Sequence, residues 1–269
     1  MSRDDEATFQ IGGNGAQGAA ALLLHGYLGS TRELRPLAEA LAGAGVTARA
    51  ELLPGFGEAG RPQLQRVRAE DWLDAAKRAW LDVTQGATHR TLVGFSMGGA
   101  LALALAADPE VRPDELILLA PYWRMADPRA ALLPVAHYLM PRFQPFGKLD
   151  FTNPDTRQRY AEMAPGADLD DPEVQRGFQE GLTVPTHSLY QLRRLSQRAR
   201  RARLAPQTSR LVVQGLNDPT TLPQDSRDLS RKIGAHLIEV PASHMLVEDT
   251  SPAWEQVRDA VLSRAVPPR

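Results

Sequence analysis

No cysteine occurs among the 269 residues, so the chain forms no disulfide and has no thiolate for catalysis or metal binding. Long apolar runs are also missing. The most apolar helical stretch, around Ala100 to Ala107, is far too short to cross a bilayer, and no stable membrane insertion is expected. Met1 to Gly18 is polar and glycine-rich and lacks the apolar segment of a secretory leader, so the expected location is cytoplasmic. Neither sign of charge prevails: the formal net charge is −1, which argues against a nucleic-acid footprint and predicts no nucleic-acid partner. There is no internal repeat and no low-complexity tract. What is present is an ordinary globular composition, 43% hydrophobic and 23% charged, in a chain long enough for a large buried core.

Strand-like and helix-like runs alternate. Short apolar, β-prone runs lie at Ala20–Leu24, Thr47–Leu52, Arg90–Phe95, Glu115–Ala120, Ser209–Gln214 and Ala235–Val240, with Thr8–Ile11 a further candidate. Helical patterns cover Glu33–Ala42, Glu70–Thr84, Met97–Ala107, Gln224–Ile233 and Pro252–Arg264, the last with Ser251 as N-cap and Pro252 at the first helical position. The alternation predicts an α/β fold, a mostly parallel central sheet flanked by helices. From Arg124 to Ala205 it stops, and scattered prolines separate amphipathic helical pieces. Residues 1–123 and 206–269 are therefore expected to form the core domain, with 124–205 inserted.

The most informative stretch is Gly94-Phe95-Ser96-Met97-Gly98, between a strand-like run and an Ala/Leu helix. A serine on so sharp a strand-to-helix turn needs small neighbours, because strand and helix approach closely there. The next backbone N–H, that of Met97, then points at a reacting carbonyl. A hydroxyl is a poor nucleophile unless a base takes its proton, and a histidine base needs a carboxylate to orient it. Both follow in the order Ser, Asp, His. Asp218 lies in the loop after Ser209–Gly215, and His244 in the loop after His236–Val240. Each thus sits past the C-terminal end of a strand, the edge where ligand chemistry gathers in open α/β sheets. A second oxyanion donor is expected from His25-Gly26-Tyr27-Leu28-Gly29-Ser30, where the Tyr27 amide would face that of Met97.

Together, L-L-L-H-G at Leu22–Gly26, G-F-S-M-G-G at Gly94–Gly99, the aspartate at 218 and S-H-M at Ser243–Met245 resemble the α/β-hydrolase superfamily. Within it the chain most resembles the small bacterial carboxylesterases and monoacylglycerol lipases. Leu53-Pro54-Gly55-Phe56-Gly57 and Glu70-Asp71-Trp72 extend the likeness, which runs from about Ala19 to Ala265. It departs at Phe56, where the family often has histidine, and at Ser243, where it often has glycine. The resemblance implies Ser96 as nucleophile, Asp218 as acid, His244 as base, and the Tyr27 and Met97 amides as the oxyanion hole. It implies a helical cap, inserted after the sixth strand of the fold, over the active site. It implies hydrolysis of small carboxylic esters through an acyl-enzyme, chemistry that needs no cofactor. A cap of about eighty residues that must also pack on the core should leave a bounded pocket, which predicts short to medium acyl chains, and with no carboxylate or second histidine at metal spacing around His25 no metal is expected. A thioester, a lactone or a C–C bond would suit the same triad, and a non-catalytic small-molecule receptor on the same fold is the rival of another class.

Three other features carry weaker signals. The apolar segment Leu132–Phe143 reads either as the wall of an acyl pocket, through Leu133, Tyr138, Leu139 and Phe143, or as the cap's own packing. His25 has no ligand-spaced neighbour and is expected to hydrogen-bond locally and hold the oxyanion loop in shape. The arginines between Arg193 and Arg203 are spread around a helix and read as a solvated face rather than an anion-docking stripe.

Overall fold

The computed structural model describes residues 6–12, 18–125, 128–143, 151–153, 156–157, 168–175 and 184–267. Its sheet contains β1 (Phe9–Ile11), β2 (Ala19–Leu24), β3 (Thr47–Glu51), β4 (His89–Phe95), β5 (Glu115–Leu119), β8 (Ser209–Gly215) and β9 (His236–Val240). The spatial order is β1-β3-β2-β4-β5-β8-β9. β1 runs antiparallel to β3, and every other pairing in this sheet is parallel. Side chains alternate between the two faces along a strand, so each face has its own core. Leu22, Leu24, Leu92, Leu116, Leu118 and Val212 pack on one face with Trp72, Trp80 and Leu101. Leu23, Val93, Phe95, Ile117, Leu119 and Val213 pack on the other with Leu37, Leu41, Val257 and Val261.

The flanking helices are α1 (Arg35–Gly43), α2 (Ala69–Val83), α3 (Met97–Leu105), α6 (Pro223–Ile233) and α7 (Trp254–Ala265). Two begin later than their sequence signals suggest. Thr31–Leu34 forms a 3-10 turn, and α1 starts only at Arg35, with Pro36 in its first turn, where the missing N–H costs nothing. The expected start at Ser251-Pro252 is displaced: the Trp254 N–H donates to the Ser251 carbonyl at 3.0 Å, closing a turn, and α7 begins after Ala253 without a side-chain cap. Among the described residues five strands, not six, precede the interruption of the α/β alternation.

The chain divides into two compact units, Met1–Ala126 with Gln191–Arg269, and Asp127–Tyr190. The sequence pattern ended the interruption at Ala205. The structure carries the chain into the first unit at Gln191, part-way along α5 (Thr186–Arg200), because Leu192, Leu195 and Ala199 pack into the core below one sheet face. In the second unit, α4 (Leu133–Leu139) leads to β6 (Arg142–Phe143), which pairs antiparallel with β7 (Val184–Pro185). His137 stacks on Tyr190 with ring centroids 4.4 Å apart.

Candidate active site

β4 ends at Phe95 and the helix α3 begins at Met97, so Ser96 is the single residue that reverses the chain. It takes φ 53° and ψ −115°, a region an L-residue occupies only when its surroundings compel it. Backbone hydrogen bonds hold it there. The Ser96 N–H donates to the Leu119 carbonyl at 2.9 Å, and its own carbonyl accepts from the N–H groups of Gly99 and Tyr122, both at 2.9 Å. The flanking glycines are required by contact rather than by torsion. A Cβ on Gly98 would stand 2.0 Å from the Leu24 carbonyl oxygen, and one on Gly94 would stand 2.2 Å from that of Gly98.

The loops after β8 and β9 bring the other two residues to the serine. His244 Nε2 lies 3.0 Å from Ser96 Oγ, and its Nδ1 lies 2.7 Å from Asp218 Oδ2. A carboxylate can only accept, so Nδ1 carries the proton and Nε2 presents its lone pair to the serine hydroxyl. The imidazole packs against the Phe95 ring at 5.1 Å.

Asp218 has no side-chain exposure, and burial alone would push its carboxyl up. Hydrogen bonds from His244 and Thr221 outweigh that and hold it below the usual carboxylate range. Oδ1 accepts from the N–H groups of Thr220 and Thr221 at 2.7 and 2.9 Å, while Oδ2 accepts from Thr221 Oγ1 at 2.7 Å and Gln214 Nε2 at 3.1 Å. Gln214 is itself fully buried, and its Oε1 accepts from Ser226 Oγ at 2.5 Å. Sequence reasoning missed Gln214, Thr221 and Ser226. The one available signal was an amide in the otherwise apolar run Leu211-Val212-Val213-Gln214, which must find partners once buried.

The loop after β2 faces the serine turn from the neighbouring strand. His25, fully buried, donates from Nδ1 to the Gly26 carbonyl at 2.8 Å and accepts at Nε2 from the Leu53 N–H at 3.1 Å. It ties this loop to the one after β3, the local role expected of it. Burial drives its pKa down to about 4, against the opposing Gly26 bond, so the ring is neutral and the tautomer fixed. Tyr27 follows, its ring edge-on to Phe56 at 5.8 Å. Met97 opens α3, and its N–H is among the first-turn amides that no helical carbonyl can serve.

Other candidates lie elsewhere. Asp225 and Asp228 sit on α6 and pair with Arg124 at 2.5 and 2.9 Å. His236 begins β9, exposed, and His137 and His187 belong to the second unit. There Leu133 is buried, whereas Tyr138 and Leu139 are 79% and 76% exposed and Phe143 is 36% exposed. The arginines of α5 take separate partners: Arg194 pairs with Glu70 at 2.7 Å, and Arg200 lies over the Trp123 ring. Among the described residues, no cluster of three or more His, Asp or Glu side chains is placed to hold a metal ion, and no helix is long and apolar enough to cross a membrane.

A mostly parallel sheet that carries a serine on the sharp turn after a central strand, with partners delivered from loops at the same edge, is the architecture of the α/β-hydrolases, and the chain is a hydrolase of that class. Within it the chain belongs to the serine aminopeptidase, S33, family, whose model matches residues 15–250. A thermostable monoacylglycerol lipase from Bacillus sp. (strain H-257) is 32% identical over 149 residues, 55% of this chain and 58% of that protein, so the match spans less than two thirds of the relative. Two solved structures share the fold. One, from work on the metagenome-derived lipolytic enzymes LipS and LipT, has a TM-score of 0.75 at 21% identity and 97% coverage of both chains. The other, a monoacylglycerol lipase from Paleococcus ferrophilus, has a TM-score of 0.68 at 19% identity, covering 96% of this chain and 97% of that one.

Proposed function

We propose that the protein is a serine ester hydrolase acting on small-molecule carboxylic esters of short to medium acyl chains. The observation that carries this reading is the hydrogen-bonded series from Ser96 Oγ through His244 to Asp218, at 3.0 and 2.7 Å. Ser96 attacks the ester carbonyl while His244 Nε2 takes its proton. The amides of Tyr27 and Met97 hold the oxyanion. His244 then protonates the leaving alcohol, and a water it deprotonates releases the acid from the acyl-enzyme. Asp218, ionised and buried, keeps the imidazole in the required tautomer and stabilises it when charged. No step calls for a cofactor. The lipase relative supports an ester as the bond cleaved, and the reading takes the apolar segment 132–143 as the part of the chain that selects acyl length.

The test is turnover of p-nitrophenyl esters of increasing chain length, run beside acyl-CoA thioesters and aminoacyl p-nitroanilides. Ester turnover that disappears in Ser96→Ala, by about 10⁶-fold where a triad acts as a unit, is the expected result. Preference for the anilides would make the enzyme an aminopeptidase, and preference for acyl-CoA a thioesterase. Absence of turnover together with failure of a fluorophosphonate to label Ser96 would leave a binding protein on a hydrolase fold.

A further inference from the structure

Glu33 is used by none of the steps above, yet it is the residue around which the loop after β2 is folded. Its Oε1 accepts the Gly26 N–H at 2.5 Å. Its Oε2 fills the space over Gly29: a Cβ there would stand 2.3 Å from that oxygen and 2.8 Å from the carboxyl carbon. The carboxyl group therefore occupies the position a side chain at 29 would need, while at Gly26 a Cβ would stand 3.2 Å from Oε1, a tight contact and not an overlap. The loop so closed is not relaxed, since Leu28 sits at φ 63°, a left-handed conformation unfavourable for leucine. Something must hold it.

Gly26 is gripped on both sides. Glu33 takes its N–H, while its carbonyl accepts from His25 Nδ1 at 2.8 Å and from the Gly29 N–H at 3.3 Å. That carbonyl shares one rigid peptide plane with the N–H of Tyr27, and in a trans peptide the two point in opposite directions. Fixing Gly26 therefore aims the Tyr27 amide. We propose that Glu33 is a positioning residue for the oxyanion hole, its carboxyl group holding the Gly26–Gly29 loop in the conformation that presents the Tyr27 N–H to the reacting carbonyl. The proposal rests on the reading of Tyr27 as an oxyanion donor.

The experiment measures kcat and KM for p-nitrophenyl butyrate, and Ki for an alkyl trifluoromethyl ketone, in Glu33→Ala, Glu33→Gln and Glu33→Asp. The ketone adds to the serine and places an oxyanion in the hole, so its affinity reports the hole itself. Misaiming one donor by about 1 Å costs up to about 10²-fold. Glu33→Ala is expected to lower kcat by about 10- to 100-fold with KM within about twofold, and to weaken the ketone by the factor lost from kcat/KM. Glu33→Gln, whose amide oxygen can still accept the Gly26 N–H, should stay within about threefold of wild type. Glu33→Asp keeps the carboxyl group but withdraws it by one methylene, so it should resemble the alanine variant and carries the test if that variant does not fold. A Glu33→Ala enzyme within twofold of wild-type kcat, equal losses in the Gln and Ala variants, or a loss confined to KM would each overturn the assignment. Failure of the ester-hydrolase reading looks different: the wild-type protein then neither turns over the ester nor binds the ketone, and the proposal falls with it.

Discussion

His25 and Glu33 hold opposite ends of Gly26 and titrate in opposite senses. Burial keeps the His25 pKa at about 4 in the folded chain, against 6.5 when unfolded, with the Gly26 bond opposing. The unfolded chain therefore binds a proton between those values that the folded chain refuses. The stability His25 contributes is complete above pH 6.5 and lost as pH falls toward 4, about 3 kcal/mol in all. Glu33 runs the other way. Burial raises its pKa from 4.5 to about 7, the Gly26 bond opposes, and Glu248 adds to the rise. Here the folded chain keeps a proton that the unfolded chain releases, so stability falls as pH rises from 4.5 to 7. The two slopes offset each other between pH 4.5 and 6.5. Glu33→Gln should therefore lose stability more steeply on acidification than wild type, and His25→Gln should lose it on alkalinisation. Urea midpoints across that window check both signs, and equal slopes in all three proteins would contradict the burial of both groups.

At the scale of elements, the serine turn depends on how closely α3 approaches β2. Gly98→Ala would put a methyl 2.0 Å from the Leu24 carbonyl oxygen, backbone that cannot swing aside. Helix and strand must part, at a cost of about 1–3 kcal/mol. The helix also carries the Met97 amide away from the site. The expected outcome is a melting temperature several degrees lower and a kcat reduced more than KM, read by calorimetry and steady-state kinetics. At the end of β8, Gln214→Leu removes the donor shared by Asp218 Oδ2 and the carbonyls of Gly215 and Thr221. It also strands the Ser226 hydroxyl, and the combined loss should be about 1–3 kcal/mol. A kcat/KM unchanged in Gln214→Leu would show that the two threonine amides and the Thr221 hydroxyl orient Asp218 without help.

For the whole molecule, the measurable quantity is acyl-chain selection. If the apolar segment 132–143 sets it, each added methylene should raise kcat/KM by up to about threefold to fourfold, until a plateau or fall at medium chain length. Phe143→Ala should move the optimum toward longer chains and leave acetate esters nearly unchanged. A profile that climbs without limit, or ignores every substitution in the segment, would remove it from substrate selection. By itself the sequence determined the parallel α/β order and the three residues at the strand ends. Strand periodicity, the helix signals after each strand and the chain order Ser96, Asp218, His244 are all local or serial properties. The strand Phe9–Ile11 and the late starts of α1 and α7 were less legible, because a short edge strand needs a partner and a helix end is set by which carbonyl takes its first N–H groups. The tertiary structure alone decided what surrounds Ser96, His244 and Asp218. Gln214 and Ser226 are ordinary polar letters until β8 and α6 bury them together, and Glu33 reads as one more charge on a helix until Gly26 and Gly29 close over it. Burial turns a polar side chain into a fixed partner, and burial depends on contacts between segments far apart in the chain.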